Sequence, residues 1–442
     1  MNIQLSDHFT FRKLIRFILP PIGMMMFTSI YSVVDGFFVS NFVGKTAFAS
    51  VNLIMPIIMI LGALGFVLGT GGSALVAKTL GEGEKKKANE IFSLMVYVGI
   101  IIGVVLAIIG IVFMKSIAIA LGAEGEMIDL CARYARVCML ALPGFMLQNI
   151  FQSFLVTAEK PTLGLIITVA AGVTNMILDA LFMVVFPFGV AGAALATGLS
   201  QILGGVVPLI FFIRKNNSAL KLVKWKFDGR ALLRASLNGS SEFVTNVSMS
   251  IVAILYNFQL LKYAGEDGIA AYGVIMYVAF LFAAIFLGYA IGVTPLVGYH
   301  YGAGNKGELR NLLRKSFTLI IVAGAILGTV GIVFSPLFTK AFVGYDQVLY
   351  EMTNHGFKVY AISFYIFGIG MFGSAWFTAL NNGTLSALIS CFRILVFQSL
   401  AIIILPMIWG LEGIWYAIVV AEVLSATFAI ICIMKNRKKY LG

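Results

Sequence analysis

Charge is what this sequence has least of: Asp, Glu, Lys and Arg together make up 11% of its 442 residues. A water-soluble domain keeps itself in solution with a charged surface, so a soluble globule is excluded. Histidine is scarcer still. His8, His300 and His355 fall in the N-terminal segment, a loop and a helix end, and no paired-Asp motif accompanies them. That scatter argues against an intramembrane enzyme, which needs its acids, bases or metal ligands clustered. No Walker A pattern is present, so direct use of ATP is not expected. Cys131, Cys138, Cys391 and Cys432 lack metal-ligand spacing and read as small buried hydrophobes. No cofactor and no resident metal is expected.

What fills the chain is apolar sequence, 60% of residues, with a mean hydropathy of +0.99. Stretches of about 20 apolar residues, long enough to cross a hydrocarbon core of ~30 Å, recur along its length. They predict helices at 14–39, 51–78, 88–114, 129–156, 162–186, 190–214, 237–263, 268–298, 311–338, 352–380, 385–408 and 412–434. The first runs past signal-peptide length and is expected to be kept rather than cleaved. Twelve spans leave both termini on one side. The loops on that side hold 23 of the 31 Lys and Arg; seven, Lys45 among them, fall on the other, and Arg393 lies inside a span. By this bias the basic side and both termini are cytoplasmic, in a multi-pass protein of the cell's inner membrane. The net charge of +12 is then mostly a topology signal. The partner it implies is the lipid bilayer and not nucleic acid, and a monomer is expected.

The two halves repeat. Gly71 and Gly292, Gly81 and Gly302, Gly83 and Gly304, and Gly189 and Gly410 all stand 221 apart, half the chain. "GGSALVAKTLGEGEKK" aligns with "GVTPLVGYHYGAGNKG" at the same offset. Six spans separate the copies, an even number, so both face the same way. The expected fold class is an all-α polytopic membrane protein, with 12 transmembrane helices in two parallel-repeat six-helix lobes around a central cleft. The expected domains are residues 1–213, a basic linker at 214–236, and 237–442. Parallel repeats flanking a cleft are a common transporter plan, in which rocking lobes give alternating access.

Four acidic residues fall within spans: Asp35, Asp179, Glu242 and Glu422. A carboxylate at mid-helix costs about 2.5–3.5 kcal/mol on insertion scales, so each needs a reason. Asp35, Asp179 and Thr197 coincide in depth in the outer half of the bilayer, and Asn175 lies one turn from Asp179 on the same face. Two carboxylates in low dielectric resist carrying two charges together, so this set is expected to bind H+ or Na+. At the 221 offset the second lobe has Tyr256, Val396, Leu400 and Ile418 instead. Glu242, near the cytoplasmic start of its helix, either snorkels or has an ion or substrate role. Arg393 either neutralises Glu422 or anchors structure. Gln148, Asn149 and Gln152, and the run Met24, Met25, Met26, Phe27 and Tyr31, serve core packing as readily as substrate contact. Pro20 and Pro21 are expected to kink the first helix.

Several segments resemble one family: "SVVDGFFVSNFVG", "VTNMILDALF", "GVAGAALATGLSQ" and "GVTPLVGYHYGAGN". Together they resemble the multidrug and toxic compound extrusion (MATE) transporters, in their DinF-like branch. The resemblance implies that Asp35, Asn175, Asp179 and Thr197 bind the coupling cation, H+ or Na+. It implies that the central cleft takes amphipathic organic cations, small drug-like molecules, with Met26, Tyr31, Gln148, Asn149 and Gln152 as candidate cleft residues. Pro20 would bend the first helix during the cycle. Glu242 matches an acidic seventh-helix position of NorM-like relatives, but their acidic residue on the eighth helix has no counterpart here. A rival reading is a flippase for lipid-linked oligosaccharides, which shares the lobe plan. It predicts a basic cleft, whereas charge inside these spans is mainly acidic.

Overall fold

In hydrocarbon no water hydrogen-bonds the backbone, so a spanning segment satisfies its own N–H and C=O groups, and this chain does so with helices. The computed structural model describes residues 3–224 and 226–442; the side chains of Ser40, Lys45 and Phe48 also lie outside the description. The helices of the first lobe are α1 (Phe11–Phe42), α2 (Lys45–Gly81), α3 (Lys85–Ala120), α4 (Glu126–Thr157), α5 (Pro161–Asp179) and α6 (Val190–Ile213). A π-helical turn, Ala180–Val185, extends α5. The second lobe holds α7 (Gly229–Gly302), α8 (Lys306–Val333), α9 (Ser335–Val343), α10 (Gln347–Ile362), α11 (Phe364–Ala379), α12 (Gly383–Ser390), α13 (Ser399–Trp409) and α14 (Leu411–Leu441). A second π-helical turn, Cys391–Gln398, joins α12 to α13.

At 74 residues α7 would be about 110 Å long, several bilayer cores, and it is broken at Gly265 (φ 63°, ψ −151°), a conformation that needs glycine. Ten helices are long and apolar enough to span, the pair α10 and α11 makes one more, and the break in α7 another. The described residues therefore make twelve crossings. Most spans run several residues past the sequence reading at one or both ends, and three places differ in kind. The ninth span starts earlier and stops at Val333, where Pro336 has no N–H to continue the hydrogen-bond ladder back to Ile332, leaving α9 as a separate piece. The tenth is bent by 50° between α10 and α11, where the Ser363 hydroxyl donates to the Tyr360 carbonyl at 2.7 Å and competes with the helix ladder. His300, expected in a loop, lies buried in the last turn of α7, which stops only before Gly304 at φ 65°. Across Pro20 and Pro21 α1 stays helical.

The lobes meet through glycines. A Cβ at Gly81 would stand 2.0 Å from the Tyr299 carbonyl oxygen, and one at Gly302 the same 2.0 Å from that of Lys78. These contacts exchange under the 221 offset, since Lys78 corresponds to Tyr299 and Gly81 to Gly302. Gly71 packs on the Ala235 carbonyl, Gly239 on that of Val67, and Gly288 and Gly292 on α1 at Ile22 and Ile18. Small residues let backbones touch where lipid offers no hydrophobic drive for association. All these contacts lie in the half nearer the basic loops. Toward the other side, Gly36 in α1 and Gly273 in α7 have open space around them. The lobes are thus closed at the basic side.

The segment before α1 crosses the same seam. The Leu5 N–H donates to Glu159 Oε1 (2.7 Å) in the first lobe, and the Phe9 N–H to Glu308 Oε1 (2.9 Å) in the second. His8 Nδ1 lies 2.6 Å from Glu308 Oε2, and Asn311 and Lys315 both donate to the Phe9 carbonyl. Leu5 and Phe9 are buried, Phe9 against Phe17 and His300. Burial pushes the Glu159 carboxyl up from its ordinary range, only partly offset by the Leu5 N–H. Burial pushes Asp7 up too, but the hydrogen bonds from Lys13 and the Gln4 N–H outweigh it and hold Asp7 below its usual range.

Candidate functional site

Asp179 ends the α-helical part of α5, at the junction with the π-helical turn. Such turns widen a helix locally and often mark functional sites. Its side chain is fully buried, and neither oxygen has a hydrogen-bond partner among the described residues. The carboxyl of Asp35, from α1, is close enough for the two to interact. Thr197 of α6 donates to Asp35 Oδ1 at 3.4 Å. One turn before Asp179, Asn175 is 1% exposed, with both amide atoms unpartnered. The structure thus brings the four residues together from three helices. A buried carboxylate without a partner is unfavourable by several kcal/mol, roughly. Four unpartnered atoms beside a second carboxyl make a site suited to a proton or a small cation. Tyr134 and Cys138, one turn apart on α4, lie within electrostatic reach of Asp35, and Tyr134 of Asp179 as well.

The five candidate cleft residues do not share one surface. Gln148 and Gln152 face the inside of the first lobe, where they line a small cavity with Met24, Thr168 and Pro208. Their Oε1 atoms have no partner among the described residues. Tyr31 reaches Gln148 and lies over Gly172 of α5. Asn149 donates to the Gly62 carbonyl at 3.1 Å and holds α4 to α2. Met26 is half-buried against the core.

Glu242 does not sit among lipid. It lines a water-sized cavity between the lobes with Thr70, Ser73 and Ser153 on one side and Thr294 and Thr378 on the other. Apart from Glu242 the lining is uncharged.

A family model described as MatE matches residues 20–181 and 243–403, one stretch in each lobe. The chain belongs to the MatE family. The Multidrug export protein MepA of Staphylococcus aureus (strain MRSA252) is 25% identical over 438 residues, covering 97% of this chain and 94% of that protein. A solved structure titled "Crystal structure of MATE in complex with MaL6" has a TM-score of 0.92 at 24% identity, covering 98% of this chain and 97% of the other. Another, "Outward-facing conformation of a multidrug resistance MATE family transporter of the MOP superfamily", also has 0.92 at 24%, covering 98% of both chains. These likenesses bear out the fold class, and MatE membership makes the chain a multi-pass membrane transporter.

In this MatE chain the open question about Arg393 has a geometric answer. Its Nη2 lies 3.0 Å from Glu422 Oε1, and its Nε 3.1 and 3.3 Å from the two carboxylate oxygens. Both side chains are buried, so Arg393 neutralises Glu422. The residues the sequence reading missed are the hydroxyls around Glu242 and the pair Tyr134 and Cys138. A signal existed for the first group: serines and threonines at the depth of an intramembrane acid, on helices that the repeat brings to the axis. Tyr134 and Cys138 share a face of α4, but their sequence context is apolar and reads as core.

Proposed function

We propose that the protein exports amphipathic organic cations by exchange for H+ or Na+, with Asp35, Asn175, Asp179 and Thr197 as the coupling site. The observation that carries this is Asp179, buried beside Asp35 with no donor to either oxygen among the described residues. A site of that kind gains by taking up one cation and is vacated when the lobes rock and solvent reaches it. One charge moving across 100 mV is worth ~2.3 kcal/mol, more than tenfold in substrate gradient. The seam of glycines supports alternating access, because it closes the basic side, taken as cytoplasmic, through close backbone contacts of α7 with α1 and α2. MepA, by its name a multidrug exporter, supports the substrate class. The cavity at Glu242, water-sized in this closed form, has one carboxyl among hydroxyls and so suits a cation better than the phosphate of a lipid-linked substrate. The experiment is ethidium efflux from energised bacteria lacking their own drug pumps. Wild type is expected to export the dye and Asp179→Asn, at equal expression, to fail; a protonophore or removal of Na+ then names the ion. Equal export by both proteins rules out the proposed coupling site. No export by wild type rules out the substrate class.

A further inference from the structure

The second lobe carries an intramembrane polar cluster on the helices that repeat α1, α5 and α6. Tyr256, 221 residues after Asp35, comes from α7; Arg393 and Gln398 come from the π-helical turn Cys391–Gln398; Glu422 and Ser425 come from α14. In the first lobe two carboxyls face each other, and among the described residues no lysine or arginine acts on either. In the second lobe the one carboxylate is gripped by a guanidinium through three contacts of 3.0 to 3.3 Å. The guanidinium rests on the Phe367 ring, 4.3 Å from its centroid. Gly370 makes room for it, since a Cβ there would meet Ser425 Oγ at 2.4 Å and Arg393 Cδ at 3.2 Å.

We propose that Arg393 is a tethered cation: in the second lobe it holds the place that a transported cation takes in the first, so that only the first lobe exchanges a cation. This rests on reading Asp35 and Asp179 as the coupling pair. A guanidinium keeps its proton in proteins, and its planar fork matches a carboxylate as an ammonium does not. Glu422 is therefore neutralised in every orientation of the lobes, and the pair carries no net charge across the membrane. The other titratable groups facing it are Tyr256, on which Tyr272 stacks at 4.6 Å, and Tyr360 of α10. All three are neutral phenols, so the balance of charge rests on Arg393. Tyr256 and Ser425 hydroxyls are buried without partners among the described residues, and they would be at hand for a proton or Na+ if the guanidinium were removed.

The test counts bound cations on the full-length protein purified in detergent, as protons released in unbuffered solution and as radioactive Na+ retained. Arg393→Gln is expected to bind one more cation per molecule than wild type. Arg393→Lys, which keeps a charge, and Arg393→Gln with Glu422→Gln, which loses both, are expected to match wild type. An arginine that only braces the two helices leaves Arg393→Gln at the wild-type count, and that result overturns the proposal. Glu422→Gln decides independently if Arg393→Gln does not fold: an unchanged count supports the proposal, and the loss of one cation overturns it. Asp179→Asn in the same assay keeps the two readings apart, because a variant that loses no cation defeats the first-lobe site whatever Arg393 does.

Discussion

Replacing Gly81 by alanine tests how the basic side is closed. The added Cβ would stand 2.0 Å from the Tyr299 carbonyl oxygen, so α2 and α7 must part by about an ångström to reach 3.0 Å. The obstacle is backbone, and no side chain can rotate out of the way. Overpacking of this kind costs typically ~1–3 kcal/mol. Because the clash exists only while the lobes touch, that cost falls on the closed state and shifts its equilibrium with the open state about 5- to 150-fold. Gly302→Ala makes the symmetric clash on Lys78 in the same crossing, so one separation relieves both. The double variant should then shift the equilibrium little more than either single one, a non-additivity expected of neighbours. Spin labels placed in the loops α2–α3 and α7–α8, both on the basic side, read by pulsed electron resonance distances, report the population. An unchanged distance distribution for Gly81→Ala would refute the seam as the closing element. A double variant with twice the single effect would refute the shared crossing.

Removing one partner of the Arg393 and Glu422 pair should destabilise the protein by about 3–5 kcal/mol, whereas replacing both with apolar residues of similar size should cost far less. Thermal unfolding in detergent of Glu422→Leu and of Arg393→Met with Glu422→Leu measures both. Phe9→Ala empties a fully buried site between Phe17 and His300 and should weaken the closed form by about 3–5 kcal/mol. Faster thiol labelling of a cysteine placed at Leu5 checks it. The Asp7 carboxyl is held below its ordinary range, so its contribution is present above about pH 4 and is lost as pH falls through the lowered value. Labelling at Leu5 should therefore rise in stronger acid, below about pH 4, and Asp7→Asn should remove that rise.

The spans and the repeat were legible because hydrocarbon demands long apolar runs, and because Gly81 and Gly302 must match where two backbones touch. The set Asp35, Asn175, Asp179 and Thr197 was legible because charge is so scarce in these spans that its depth alone groups it. The break inside the tenth span was not, since Ser363 looks like any membrane serine until its hydroxyl is seen to bond a backbone carbonyl. Gln148 and Gln152 were hard to place because α4 is buried on nearly all sides, so no polar stripe tells an interior face from a cleft. The contacts of Leu5, His8 and Phe9 join residues about 150 and 300 positions apart, and a short mixed segment before the first span carries no periodicity to announce them.

The central claim is that Asp179, with Asp35, ties cation movement to export. Its most direct test places the purified protein in liposomes, imposes an ethidium gradient and follows the cation with an internal pH dye or radioactive Na+. Wild type is expected to drive H+ or Na+ against the direction of dye flow, and Asp179→Asn to drive neither while still binding ethidium. Cation counterflow of wild-type size from Asp179→Asn would contradict the account.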